Sequence, residues 1–125
     1  KPYEIYTDSD NLLSVLEFLK GEGLDFLADI SSVDYKEYFV VVYQLFSFNN
    51  SDQMTVKVKL DHDKPQLNSA TGLWETANWL EREVYDLMGI TFNNHPNLER
   101  ILTWEGFEGH PLRKDFIATK KSGRK

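Results

Sequence analysis

The chain has 125 residues, of which 41% are hydrophobic and 27% are charged, as in a single globular domain. It contains no cysteine, which excludes disulfides, thiolate zinc sites and iron–sulfur clusters held by this chain alone. No apolar run approaches the ~20 residues of a membrane-spanning helix and no signal peptide is visible, so we expect contact with a membrane only through a partner.

Charge is distributed unevenly along the chain. Residues 1–112 carry 8 basic and 19 acidic side chains, a net charge of −11, whereas residues 113–125 carry 6 basic and 1 acidic, a net charge of +5. We therefore predict one domain over residues 1–112 and a basic C-terminal tail over residues 113–125. Such a tail is typical of interaction segments, although a solvated terminus is the alternative. Because the acidic body repels phosphate, we expect no nucleic-acid partner.

The first predicted element is a short amphipathic helix. Asp8-Ser9-Asp10 offers an N-cap, and Gly21 is expected to stop the helix. Its apolar positions fall at helical spacing: Leu12, Val15, Leu16 and Leu19.

Three strands are predicted next, over residues 24–33, 38–48 and 54–60. The middle segment, YFVVVYQLFSF, is almost continuously β-branched or aromatic, which indicates a central strand. The third, MTVKVKL, alternates between apolar and polar residues, which indicates one solvated face. Residues 49–52 read as a hairpin loop and residues 61–69 as a longer loop, so these strands form an antiparallel meander.

A second helix is predicted within residues 71–88, capped by Ser69 or Thr71 and ended by Gly89, with a short strand at residues 90–92. On a helical wheel one apolar stripe forms, and we expect it to pack on the sheet. Its members are Leu73, Ala77, Leu80, Val84, Leu87 and Met88. The predicted fold is a two-layer α+β domain with helices on a mainly antiparallel or mixed sheet.

Several large side chains fall outside that stripe. The wheel places Trp79, Arg82 and Asp86 with Glu75 on the far side, and Trp74 and Tyr85 on a third flank near Glu81. Aromatic residues and arginine are enriched at interface anchors, which favours a docking surface. On this reading Arg82→Ala or Asp86→Ala weakens assembly but leaves the isolated domain folded. The alternatives are a surface Arg82–Asp86 ion pair and a Trp79 covered by its own domain.

The same region does not read as a metal or catalytic site. The candidates are Glu81, Glu83, Asp86 and His95, but Glu81 and Glu83 point roughly 160° apart on a helix. No Glu-x-x-His or His-x-x-x-His pair occurs in the sequence. There is also no Gly-x-Ser-x-Gly elbow, phosphate loop or Gly-x-Gly-x-x-Gly motif. We therefore expect no catalytic, cofactor-binding or metal-ligating residue in this chain.

Two longer strings are more specific than any single residue: ANWLEREVYDLMGITFNNHPNLERIL and GHPLRKDF. Together with VVYQLFSF and MTVKVKL they resemble the 30-kilodalton (C) subunit family of proton-pumping NADH:quinone oxidoreductase, respiratory complex I. The resemblance spans roughly residues 30 to 118. Related assemblies use the same subunit type, namely plastid-type oxidoreductases, archaeal F420H2 dehydrogenases and energy-converting hydrogenases, and the Gly-His-Pro-Leu-Arg-Lys-Asp block favours the quinone-reducing branch.

The resemblance implies an α+β subunit without a cofactor of its own. It implies a place in the peripheral arm, on the cytoplasmic side of the cell membrane or the matrix side of the inner mitochondrial membrane. The implied partners are the 49-kilodalton (D) subunit at the quinone site and the small iron–sulfur (B) subunit. The assembled complex is expected to use NADH, FMN, iron–sulfur clusters and quinone. An independent small enzyme using the Glu81–His95 region is the alternative.

The resemblance also assigns the motif residues to structure and interface. The acidic residues and Arg82 would order the helix, while the later basic residues would fix the following loop and begin the tail. Paired charges at a subunit boundary can find their partners across it. The candidate residues are Trp74, Trp79, Glu81, Arg82, Glu83, Tyr85, Asp86, His95, Arg100, His110, Pro111, Arg113, Lys114 and Asp115.

Overall fold

The computed structural model of the chain describes residues 2–102 and 109–114. Within these ranges the elements follow in the order β1 (Pro2–Thr7), α1 (Leu12–Gly21), β2 (Phe26–Asp34), β3 (Tyr38–Phe46), β4 (Gln53–Asp61), β5 (Gln66–Asn68), α2 (Thr76–Met88) and β6 (Thr91–Asn93). No helix among them is long and apolar enough to cross a membrane.

The main sheet has the strand order β1-β4-β3-β2. Strands β2, β3 and β4 form the predicted antiparallel meander, with β3 in the centre. Strand β1, which was not predicted, pairs in parallel with β4 and makes the sheet mixed. Strands β5 and β6 form a separate parallel pair. The predicted α+β fold is therefore confirmed.

The core lies between one face of this sheet and the two helices. Alternation along β3 sends every second side chain into it, namely Phe39, Val41, Tyr43 and Leu45. Helix α1 contributes Leu12, Leu16 and Leu19, and α2 contributes Ala77, Val84 and Met88. The side chains between these positions on β3 and β4 point to the opposite face of the sheet.

The ends of α1 differ from the prediction. Asp8 Oδ1 accepts a hydrogen bond from the Asn11 amide at 2.9 Å, so Asp8 satisfies a donor just before the helix. Gly21 is the last helical residue and does not stop the helix. The chain turns at Gly23, which has φ +106°, a conformation that glycine adopts without a Cβ penalty.

The start of α2 was also predicted wrongly, whereas its end was predicted correctly. Glu75 occupies the N-cap position without a side-chain cap, so neither Ser69 nor Thr71 caps this helix. Gly89 ends it with φ +77°. Two further differences are that β3 ends at Phe46 and that β5 lies within the predicted loop 61–69.

Candidate docking site and its buried carboxylates

Trp74 belongs to the core, so its predicted place outside the apolar stripe is wrong. It precedes the first residue of α2, so the helical wheel does not apply to it. Its indole Nε1–H donates to the Asp25 carbonyl at 2.9 Å. Lys20 Nζ lies 5.5 Å from the Trp74 ring centroid and donates to the Leu73 carbonyl. These contacts fix α1 to the segment that begins α2.

Glu81 is also buried, on the side of α2 that the wheel left outside the core. One carboxylate oxygen accepts from the Ser69 hydroxyl and the other from the Ala70 amide, both at 2.7 Å. Burial raises the pKa of Glu81 to about 7, although both hydrogen bonds favour the ionised form and lower it. Glu81 therefore holds the 69–70 turn against the helix from inside the domain.

His95 lies beside Glu81, with its Nε2 atom 3.9 Å from Glu81 Oε1. The His95 Nδ1 atom accepts the Asn97 amide proton at 2.9 Å, so this nitrogen carries no proton. The Nε2–H group donates to the Asn78 carbonyl at 3.0 Å. The Nε2 contact anchors the loop after β6 to α2, and the Nδ1 contact orders residues 95–97 within that loop.

Asp86 holds a second segment against α2. It is fully buried, and its Oδ1 atom accepts from Arg100 Nε at 2.7 Å. Its Oδ2 atom accepts from the amides of Ile101 at 2.8 Å and Leu102 at 2.5 Å. The alternative of a surface Arg82–Asp86 ion pair is wrong, because Asp86 points inward under residues 100–102 and pairs with Arg100.

The carbonyl group of Asp86 binds the segment around His110, which lies in the string GHPLRKDF. His110 Nδ1–H donates to this carbonyl at 2.8 Å, and Arg100 Nη2 donates to it at 3.0 Å. Arg100 Nη2 also donates to the Gly109 carbonyl, and Tyr85 places its ring 6.1 Å from that of His110. One residue of α2 therefore organises residues 100–102 and 109–110 together.

A third carboxylate, Asp34 at the end of β2, was not among the predicted residues. It is buried, and it accepts from the amides of Lys36 and Lys114, both at 2.7 Å. His62 Nε2 lies 3.1 Å from its Oδ1 atom. Burial alone raises the pKa of Asp34, but the two amides and His62 outweigh it, so the pKa is lowered. A single acid at a strand end carries no sequence signal that would have revealed this role.

Arg113 completes this contact between the chain end and the sheet. Its guanidinium carbon lies 5.1 Å from the Phe39 ring centroid, and Nη2 lies 3.4 Å from both Nδ1 and the carbonyl oxygen of His62. The Phe39 and His62 rings stack at 4.4 Å. Arg113 and Lys114, which open the predicted tail, thus contact the body of the domain, while Asp115 lies outside the described residues.

Trp79 and Arg82 lie on the outside of α2, where the wheel places them. Trp79 is 51% exposed, and the Arg82 guanidinium carbon lies 5.8 Å from its ring centroid. Arg82 Nε donates to the Glu99 carbonyl at 3.2 Å. Asp86 fixes residues 100–102, which directly follow Glu99. The carbonyl group that binds Arg82 therefore has a fixed position. Trp79, Arg82 and Glu99 together are called the α2 strip.

The remaining predicted residues have lesser roles in the geometry. Glu83 is half-buried on α2, and Pro111 is half-buried in the turn before Leu112. The Leu112 amide donates to the Leu87 carbonyl at 2.9 Å, which closes that turn on the end of the helix. Among residues 2–102 and 109–114, no group of three or more histidines and acids is arranged to hold a metal ion.

By its fold and its site, the protein is an α+β domain in which buried carboxylates on α2 anchor two later segments of the chain. The chain matches the family described as respiratory-chain NADH dehydrogenase, 30 Kd subunit, over residues 5–122, and it belongs to that family.

Relatives in this family are named as the C subunit of NADH-quinone oxidoreductase. The chain is 47% identical to the Citrifermentans bemidjiense protein over 111 residues, which are 86% of this chain and 69% of the relative. It is 46% identical to the Moorella thermoacetica protein over 118 residues, which are 92% of this chain and 80% of the relative.

Two solved structures share the fold. A trypsin-resistant fragment of Nqo5 is 36% identical, with a TM-score of 0.71 over 76% of this chain and 81% of that one. A chain of a membrane-bound sulfane sulfur reductase, described as an archaeal respiratory membrane complex, is 23% identical with a TM-score of 0.84. That alignment covers 94% of this chain and 73% of the other, and it shows a shared fold alone.

Proposed function

We propose that this chain is a non-catalytic docking subunit in the peripheral arm of a proton-pumping NADH:quinone oxidoreductase. In this proposal it packs against the 49-kilodalton (D) subunit and near the small iron–sulfur (B) subunit, on the cytoplasmic or matrix side of the membrane. NADH, FMN, the iron–sulfur clusters and quinone are bound by other subunits. The chain supports electron transfer by holding its neighbours in place. The name of its relatives, the C subunit of NADH-quinone oxidoreductase, supports this assignment.

The observation that carries the docking role is the α2 strip. An exposed tryptophan leaves a large apolar ring in water, and a rigid tryptophan beside an arginine is the composition of interface hot spots. Arg82 is held by the Glu99 carbonyl and stacks near Trp79, so little side-chain freedom remains to be lost on binding. The buried Asp86–Arg100 contact supports this strip from below.

The alternative of an independent enzyme at Glu81 and His95 gains no support from the geometry. Both side chains are fully buried, and their polar atoms bond to the backbone and hydroxyl groups of this chain. A general acid or base must reach a substrate proton within hydrogen-bond distance. The related complexes are also less favoured, because the relatives that are 42–47% identical are named for the quinone-reducing enzyme.

Co-purification tests the proposed function. The full chain is tagged in its native cell, the membranes are solubilised gently, and the recovered proteins are identified by mass spectrometry. We expect a quinone-site subunit together with flavin and iron–sulfur subunits. Recovery of hydrogenase-type subunits would move the chain to a related complex, and recovery of the chain alone under several gentle conditions would refute the docking role.

A further inference from the structure

Two hydroxyl groups connect the buried carboxyl group of Glu81 with the turn before α2. Ser69 Oγ lies 2.7 Å from Glu81 Oε1 and 2.9 Å from Thr71 Oγ1. The Glu81 side chain is fully buried, whereas Ser69 and Thr71 are both partly exposed. The three side chains therefore form a continuous hydrogen-bonded path from the core to the surface. The Ser69 and Thr71 hydroxyls are together called the hydroxyl relay.

The hydroxyl relay can carry its hydrogen bonds in either direction, because a hydroxyl group both donates and accepts. When Glu81 is ionised, the Ser69 hydroxyl donates to Glu81 Oε1 and accepts from the Thr71 hydroxyl. When Glu81 Oε1 carries a proton, it donates to Ser69 Oγ, and the Ser69 hydroxyl donates to Thr71 Oγ1. Two backbone bonds are the same in both forms: the Thr71 amide donates to Ser69 Oγ at 3.1 Å, and the Ala70 amide donates to Glu81 Oε2 at 2.7 Å. The protonated and ionised forms of Glu81 are thus equally well hydrogen-bonded.

The ionised form of Glu81 has little electrostatic support. Within residues 2–102 and 109–114, no lysine or arginine nitrogen lies within ion-pair distance of its carboxylate. Two titratable groups of the described chain face it, Tyr43 from β3 and His95 from the loop after β6. Burial and the nearby Glu81 raise the pKa of Tyr43, so this phenol stays neutral. His95 Nδ1 accepts the Asn97 amide proton, which disfavours the second proton that a charged ring requires. A buried carboxylate without an opposite charge is costly, so these surroundings favour the protonated acid.

Glu81 consequently titrates near neutral pH. Burial raises its pKa to about 7 from the ordinary value of 4.5, although the hydrogen bonds from the Ala70 amide and the Ser69 hydroxyl lower it. A proton that enters or leaves near pH 7 must cross the layer that covers the carboxyl group. The hydroxyl relay crosses this layer, so the exchange requires no separation of the 69–70 turn from α2.

We propose that Glu81 is a proton-binding site of the folded domain and exchanges its proton with solvent through the hydroxyl relay. On release, the proton of Glu81 Oε1 passes to Ser69 Oγ, the Ser69 proton passes to Thr71 Oγ1, and the Thr71 proton passes to water. Each hydroxyl keeps one proton, the carboxylate is left ionised, and the hydrogen bonds point in the direction of the ionised form. Uptake is the reverse sequence. This inference goes beyond the proposed function and requires no partner subunit, so the two can fail independently.

Carbon-13 NMR of the glutamate side-chain carboxyl groups in the full chain tests the proton site. The Glu81 signal is assigned by its loss in Glu81→Gln and is followed from about pH 4 to about pH 9. We expect a titration midpoint near pH 7. A midpoint at the ordinary glutamate value of 4.5, in a chain that circular dichroism shows to be folded, would overturn the inference.

Variants of the hydroxyl relay test the path. Thr71→Val replaces the outer hydroxyl by a methyl group, and Thr76→Val, at the exposed first residue of α2, is the matched control. Near the midpoint, the wild type and the control should show one averaged Glu81 signal. Thr71→Val should slow exchange between the protonated and ionised forms about tenfold or more, which broadens or splits this signal. Its midpoint should stay close to that of the wild type, because Ser69 still binds the carboxylate.

Two further variants separate the path from a structural effect of the valine. Thr71→Ser keeps the hydroxyl group and should restore wild-type exchange. Ser69→Ala interrupts the path one step earlier and should slow exchange as Thr71→Val does, which provides a second test if one of these variants does not fold. Exchange as fast as in Thr76→Val, in whichever relay variant circular dichroism shows to be folded, would overturn the path through the hydroxyl relay.

Discussion

The His110 ring occupies the space that a side chain at Gly89 would fill. A Cβ atom built on Gly89 lies 2.7 Å from His110 Cδ2, and Gly89 itself has φ +77°. Gly89 therefore both ends α2 and leaves room for the His110 ring, so that residues 109–112 can pack against the end of the helix. Both the left-handed backbone and the close approach of His110 favour glycine over any residue with a Cβ.

Gly89→Ala is expected to lower the free energy of unfolding by about 1–3 kcal/mol, because it adds backbone strain and displaces His110. Urea titration of the isolated full chain measures this change. Gly21→Ala is the matched control, since Gly21 is helical and a Cβ built on it meets no atom within 4 Å from the described residues beyond its own stretch of helix. The control is expected to be neutral or slightly stabilising. Equal stability of both variants would contradict the conclusion that His110 packs in the space left by the missing side chain of Gly89.

Asp86→Ala is expected to lower the free energy of unfolding by about 3–5 kcal/mol, because it removes the carboxylate that accepts from the Arg100 Nε–H group and from two amides. The isolated domain should therefore lose stability, contrary to the expectation from sequence that it stays intact. Asp63→Ala, at an exposed acid in the loop after β4, is the control and should change stability by less than about 0.5 kcal/mol. A small effect of Asp86→Ala in urea titration would mean that residues 100–102 are held by other contacts.

Glu81 should make stability fall as pH rises. Its pKa is about 7 in the folded chain against an ordinary value of 4.5, so the folded state binds the extra proton between these pH values. The resulting loss of stability from pH 4.5 to pH 7 is at most roughly 3 kcal/mol. Glu81→Gln cannot ionise and should flatten this slope, as measured by urea titration at several pH values. Glu83→Gln, on the same helix, should keep the wild-type slope; an unchanged slope in Glu81→Gln would contradict the assignment.

Trp79→Ala should separate stability from assembly. Because Trp79 is exposed, we expect its removal to change the free energy of unfolding by less than about 1 kcal/mol. Incorporation into the complex, measured by co-purification with partner subunits, should fall clearly. Phe18→Ala removes a similarly exposed aromatic residue from α1 and should leave incorporation intact. A Trp79→Ala chain that assembles as well as this control would remove the main support for docking through the α2 strip.

Local patterns in the sequence predicted much of the fold. Alternation and β-branched residues identified β2, β3 and β4, and Gly89 marked the end of α2. Strand β1 was missed because its pairing with β4, about fifty residues away, leaves no local signal: its one core-side aliphatic residue is Ile5. The three-residue strand β5 was missed for the same reason, because it is fixed by its pairing with β6 and not by its own pattern.

The predicted site was incomplete for a related reason. A helical wheel assigns Glu81 and Asp86 to solvent because it contains only the helix. The segments that cover them, residues 69–70 and 100–102, come from elsewhere in the chain and supply the hydrogen bonds that make burial of a carboxylate tolerable. Asp34 shows the same effect across a sequence separation of 80 residues, through its bond to the Lys114 amide.

That bond couples strand register to the path of the chain. Asp34 is opposite Phe39 in the β2–β3 pairing, with its side chain on the core side of the sheet. A slip of one residue would turn Asp34 to the other face, away from both Lys36 and Lys114. Lys114 can therefore bind Asp34 only when β2 and β3 are paired in the correct register. The position at which the basic segment leaves the domain thus depends on correct formation of this edge of the sheet.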